Sequence, residues 1–221
     1  MFIRKYKSLM LILFFTLLIS LQLVDAKMNN ILPLEGKIIT IDPGHGGRDS
    51  GTMSGKLMEK DLNLEISYQL KKVLEENGAT VYMTRMVDED LSSKWDARKK
   101  RGDLYRRILF IQNKKSDLYL SIHINAGNGR GQEVLYHSIN KNNLLLAESI
   151  HNEFKKEFKT KRIIKKTNLY LYSNTRVPGV LIECGFLSNP NDRYLLQKED
   201  YQKRLALSIT RGVYEYFQKE L

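Results

Sequence analysis

The sequence predicts a single α/β domain: a mostly parallel, twisted sheet with helices on both faces. Three observations lead there. Short apolar, β-branched runs alternate with longer segments whose apolar residues recur at helical spacing, the pattern of strands joined by crossover helices. Several strand-like runs are apolar almost throughout, as strands buried on both faces are. The 195 residues from Lys27 onward suffice for one domain with a sizeable core.

Residues 37–42 form the first such run, ending in the turn Asp42-Pro43-Gly44-His45-Gly46-Gly47. Leu62, Ile66, Leu70, Val73 and Leu74 mark a helix over 59–77, stopped by Asn77-Gly78. A second strand follows over 79–85, then a polar surface loop over 86–95. Leu104, Ile108 and Ile111 share one face of a charged helix over 96–113. The strand bearing His123 comes next, then a Gly/Asn loop over 125–131 and a strand over 132–137. Leu145, Ile150, Phe154 and Phe158 pattern a helix over 144–158, and the basic stretch 159–166 reads as solvated. The last buried strand spans 177–186. Ser188-Asn189-Pro190 then carries helix-start chemistry, and a final helix covers 201–217.

Residues 1–26 are set apart from this domain. Arg4, Lys5 and Lys7 precede an apolar run over 9–24, and Val24-Asp25-Ala26 places small residues where a signal peptidase would cut. The expectation is a signal peptide over 1–26, with an uncleaved anchor as the alternative, a linker over 27–35 and the catalytic domain over 36–221. Removing the leader takes away Arg4, Lys5, Lys7 and Asp25, so the net charge falls from +11 to +9. A basic surface serves solubility in the ordinary reading; outside the cytoplasm its anionic candidates are wall polymers or lipid headgroups, and no basic–aromatic nucleic-acid motif stands out. Cys184 is the only cysteine, so no intramolecular disulfide exists. It reads as a packed small residue rather than a catalytic thiol.

Candidate chemistry gathers at the ends of these elements. His45 follows the first strand, His123 sits near the end of another, Glu59 heads a helix and Glu183 closes Val180-Leu181-Ile182. The carboxyl ends of strands in such a sheet meet in one crevice. Two His and one Glu can hold zinc with a position left open, and a spare Glu beside water can act as a general base. Each residue also has an ordinary reading: strand-ending turn, hydrogen-bonded core histidine, helix-start carboxylate. Glu183 resists that treatment, because an unpaired carboxylate in an apolar strand is costly. Asn125 could contact substrate or cap its loop, and Arg85 could contact a peptide carboxylate or form a structural salt bridge. His137 reads as part of a turn and His151 as a surface residue. The compact His-Glu-x-x-His spacing of many zinc peptidases is absent.

Five ordered motifs carry a resemblance. Asp42-Pro-Gly-His45-Gly-Gly, Glu59-Lys-Asp-Leu-Asn-Leu64, Val81-Tyr-Met-Thr-Arg85, Ser121-Ile-His123-Ile-Asn125-Ala126 and Leu181-Ile-Glu183-Cys-Gly-Phe186-Leu-Ser-Asn189 resemble zinc-dependent N-acetylmuramoyl-L-alanine amidases across 36–218. The resemblance implies one Zn2+ held by His45, Glu59 and His123, with Glu183 as the catalytic carboxylate. It also implies the substrate, the amide joining muramic acid to L-alanine in peptidoglycan. Within the family the chain looks most like sporulation-specific amidases, which strip cortex stem peptides so that muramic-δ-lactam can form. A vegetative wall autolysin and a partner-dependent wall-binding protein are the alternatives. Leu171-Tyr172 stands where many relatives have Leu-Arg, which places substrate-side contacts there in question. The implied location is the cell wall or the intermembrane space of the developing spore, with membrane contact only through the leader. An exported or lipoprotein partner that aids localisation or metal retention is one expectation; an autonomous enzyme held by charge is the other.

Overall fold

The computed structural model describes residues 32–220 and Thr16. The leader expected over 1–26, Thr16 apart, and most of the linker expected over 27–35 lie outside the described residues. Among those described, no helix is long and apolar enough to cross a membrane.

The central strands are β1 (Ile38–Pro43), β4 (Thr80–Met83), β5 (Leu118–Asn125) and β8 (Gly179–Phe186), with β6 (Glu133–Tyr136) and β7 (Lys165–Lys166) completing one edge. They form one six-stranded sheet in the order β4-β1-β5-β8-β6-β7. The first four are mutually parallel, β6 runs antiparallel to β8, and β7 is parallel to β6. A small hairpin, β2 (Met53–Ser54) with β3 (Leu57–Met58), leads directly into helix α1 (Glu59–Glu76). The remaining helices are α2 (Lys99–Asn113), α3 (Asn142–Phe158), α4 (Tyr170–Asn174), α5 (Pro190–Leu196) and α6 (Glu199–Glu220).

Helices cover both faces, unequally. Leu118, Leu120, Ile122 and Ile124 of β5, with Val180, Ile182 and Cys184 of β8, pack into a large core with α1, α3 and α6. The intervening residues point the other way, since side chains alternate along a strand. There Tyr119 and Leu181 join Ile108 and Ile111 of α2 and Leu171 and Tyr172 of α4 in a small buried cluster, with Leu104, Leu135, Tyr170 and Val177 at its margin. The same alternation sends Ser121, His123 and Glu183 to this thinly covered face. The cleft therefore opens where the second helical layer runs out.

Several local expectations needed correction. Helix α2 begins at Lys99 rather than near 96, because Asp96 is held in the preceding loop by Arg106 and the Ser93 amide. The stretch 159–166 is not wholly solvated: Lys165–Lys166 adds an edge strand, and Arg162 and Lys165 both reach the buried carboxylate of Glu133. His151 is buried, not on the surface. The reason is close helix packing: a Cβ on Gly212 of α6 would stand 2.5 Å from the Ile150 Cα of α3. Helix α5 starts as its sequence suggests, with the Asn189 side chain accepting from the Asn191 and Asp192 amides and Pro190 in the first turn. Cys184 is a free, fully buried thiol.

Candidate metal centre and active site

Three elements bring His45, Glu59 and His123 together. Their ligand atoms all lie within 4.8 Å of one another. His45 Nε2 and His123 Nδ1 converge on one carboxylate oxygen, Glu59 Oε1, at 3.2 and 3.1 Å. The two imidazoles meet edge to face with centroids 5.0 Å apart.

Each candidate ligand is held by a different device. Glu59 opens α1, where its charge suits the helix dipole. The first amides of that helix bond to loop carbonyls: Glu59 N to Thr52 O, Lys60 N to Ser50 O. Its carboxylate accepts from the amides of Thr52 and Ile124 and from Asn63 Nδ2. His123 ends the regular part of β5, just before a register shift against β8. Its ring lies on Gly44, where an added Cβ would come within 2.3 Å of it. His45 sits in the left-handed region at φ 62°, an arrangement that survives only where the surroundings impose it. Asp49 Oδ1 lies 3.0 Å from its Nδ1, close enough for an ion pair. A carboxylate behind a metal-binding imidazole fixes its orientation and raises its basicity.

The charges follow from this crowding. Burial alone would raise the Glu59 pKa, yet the hydrogen bonds and charges of His123 and His45 hold it well below the usual carboxylate range. Burial would likewise lower the His45 pKa, and the contacts with Glu59 and Asp49 overcome it, raising that pKa.

Glu183 stands beside His123 in the β5–β8 register and beside Glu133 in the β8–β6 register. Its Oε2 is buried without a hydrogen-bond partner. Burial first, then the nearby charges of Glu59 and Glu133, push its pKa up to about 8. It lines the same cleft as the three ligand residues, a cavity of about 460 Å³.

The sequence-predicted substrate residues part company here. Asn125 lines the cleft, with its Oδ1 accepting from the Gly127 amide and so capping its own loop. Arg85 is not brought to the cleft. Its buried guanidinium donates to the carbonyls of Pro43, Gly44, Lys60 and Val87, with no carboxylate among those bonds. Leu171 and Tyr172 do line the cleft, and Tyr172 stacks on Tyr119 with centroids 6.1 Å apart. His137 lies in a turn, its Nδ1 accepting from the Ile139 amide.

Sequence reasoning missed a buried network behind the site. Asp42 accepts from Thr84 Oγ1, Ser121 Oγ and Arg107 Nη1 at 2.6, 2.7 and 2.8 Å. Both ends of the Asp42–Arg107 pair are 2% exposed. Removing one partner of such a pair costs about 3–5 kcal/mol. Burial opposes ionisation of Asp42, but Arg107 and the two hydroxyls win and lower its pKa.

The donor set fits a zinc ion. Two imidazoles and a carboxylate are the borderline ligands zinc takes in catalytic sites. Space is reserved around them as well: Gly51, at φ +63°, lies where a Cβ would stand 2.5 Å from Glu59 Oε2 and 2.8 Å from His45 Cδ2. The Glu183 oxygen beside them is buried without a partner.

Known proteins resemble this chain in sequence and in fold. A family model described as N-acetylmuramoyl-L-alanine amidase matches residues 39–215. A germination-specific N-acetylmuramoyl-L-alanine amidase of Bacillus subtilis (strain 168) is 39% identical, over 97% of this chain and 96% of the relative. The structure of the CwlD amidase from Clostridioides difficile, solved in complex with the GerS lipoprotein, matches with TM-score 0.78 and 32% identity over 83% of this chain and 100% of that one. The catalytic domain of CwlV, an N-acetylmuramoyl-L-alanine amidase from Bacillus (Paenibacillus) polymyxa var. colistinus, gives TM-score 0.71 and 30% identity over 82% and 98%. The chain belongs to the N-acetylmuramoyl-L-alanine amidase family.

Proposed function

We propose that this enzyme cleaves the amide between N-acetylmuramic acid and L-alanine in spore-cortex peptidoglycan, with zinc held by His45, Glu59 and His123 and Glu183 as the proton carrier. The observation that carries the reading is the meeting of those three donors in one cleft with an unpartnered glutamate beside them.

A zinc ion in such a set polarises a carbonyl and acidifies water. Glu183 accepts a proton from the water that attacks the lactyl carbonyl and delivers it to the departing L-alanine nitrogen. The carbon–oxygen bond forms as the carbon–nitrogen bond breaks, leaving a lactyl carboxylate and a peptide with a free amino terminus. Asn125 lines the cleft wall within the motif that also holds His123, which supports assigning its side-chain NH2 as a contact for the peptide.

The cortex assignment is supported by the germination-specific relative. It requires export behind the leader over 1–26 and action in the cell wall or the intermembrane space of the developing spore. The lipoprotein in the neighbouring structure's complex supports an exported partner for this chain too. The test is hydrolysis of purified cortex peptidoglycan, with freed peptide amino termini counted and products identified by mass. Hydrolysis that stops on chelation and returns with zinc is expected. Cleavage within the peptide, or activity indifferent to chelation, would contradict the reading.

A further inference from the structure

We propose that Arg107 and Arg85 are positioning residues that hold the His45 turn in shape to receive the metal ion; this rests on the zinc centre proposed above. Neither guanidinium touches a ligand side chain. Between them they take three successive backbone carbonyls of the turn. Pro43 O accepts from Arg85 Nε at 3.0 Å and Arg107 Nη1 at 2.8 Å. Gly44 O accepts from Arg85 Nη2 at 3.0 Å, and His45 O from Arg107 Nη2 at 2.6 Å. These are the residues over which the backbone leaves β1 and enters the left-handed conformation at His45.

Both arginines are themselves fixed from behind. Arg107, on α2, donates Nε to Asp103 at 2.8 Å and Nη1 to Asp42 at 2.8 Å. Arg85, just beyond β4, also donates to Lys60 O at 2.8 Å, tying the turn to the first residues of α1, where Glu59 sits. They are 1% and 2% exposed, so water cannot substitute for either. A planar fork can serve two carbonyls in fixed directions, whereas an ammonium is a point donor on a flexible stem. The pair thus couples the His45 turn to the Glu59 helix before any ion arrives, and the ordering cost of metal binding falls accordingly.

A purely structural role would lower stability without singling out the metal. The test therefore compares Arg107→Lys and Arg85→Lys with Leu205→Ala, a core truncation on α6 outside the site. Zinc affinity is measured by chelator competition, thermal midpoint by melting, and kcat at saturating zinc. Zinc binding by the unaltered protein is read first; its absence would remove the metal centre and this proposal with it. The lysine variants should bind zinc about 10- to 100-fold more weakly, the usual effect of losing outer support at a metal site. Their kcat should approach the unaltered value once zinc is saturating. Leu205→Ala should melt lower yet bind zinc normally. Unchanged affinity in both folded lysine variants would overturn the proposal, as would an equal loss in Leu205→Ala. Failure of both lysine variants to fold would also overturn it, since the arginines would then determine the fold rather than the turn.

Discussion

Glu59 and Glu183 share one cleft, and their surroundings are opposite. Glu59 is wrapped by two imidazoles, two backbone amides and the Asn63 side chain. Glu183 has one oxygen buried without any partner and faces the charges of Glu59 and Glu133. One carboxylate is thereby kept ionised and the other is drawn towards neutrality. Carboxylates pushed apart by their environments take different roles. The first suits a metal ligand that never gives up its charge. The second suits a group that takes and returns a proton.

The largest way to break this contrast is on the ligand side. Glu59→Gln removes the charge on which both imidazoles converge, so zinc content and amide hydrolysis should fall together; retention of full zinc would remove Glu59 from the ligand set.

A smaller effect belongs to pH and the metal-free protein. The Glu183 pKa is raised in the folded state to about 8. Its contribution to stability is thus fully present below the ordinary glutamate range and is lost as pH rises through about 8. Melting of metal-free protein should show stability falling over that window, and Glu183→Gln should flatten the fall. Asp42 acts in the opposite direction: its lowered pKa contributes stability that is lost only as pH falls into the acid range. Glu133→Gln is smaller still. Removing a charge that disfavours ionised Glu183 should move the same fall to lower pH, by less than burial itself contributes. An unchanged midpoint would mean that Glu133, already bonded to Arg162 and Lys165, is not felt across the strand pair.

The strand ends and the four residues that meet in the cleft were legible because their signals are local. An apolar run broken by Asp-Pro-Gly-His, or by a lone glutamate, is visible in a few residues. The face that His123 and Glu183 share follows from the two-residue period of their strands. Arg107 was not legible: it is one of several basic residues in the charged helix expected over 96–113, and its partners Asp42 and His45 are over sixty residues away. Arg85 was visible but read as a contact for a peptide carboxylate or a structural salt bridge, since nothing local says that its partners are carbonyls. The strand Lys165–Lys166 pairs through its backbone, so its side chains carry no pattern to find. His151 reads as exposed because its neighbours are charged, while its burial comes from the approach of α6 at Gly212.

The central claim, that one glutamate holds the metal while the other moves the proton, is tested most directly in Glu183→Gln. Zinc content and cortex hydrolysis should be measured on the same preparation. Glu183→Gln should keep the zinc content of the unaltered enzyme, with hydrolysis slower by about 10²–10⁴-fold. Turnover at the unaltered rate, or loss of zinc with the carboxylate, would contradict it.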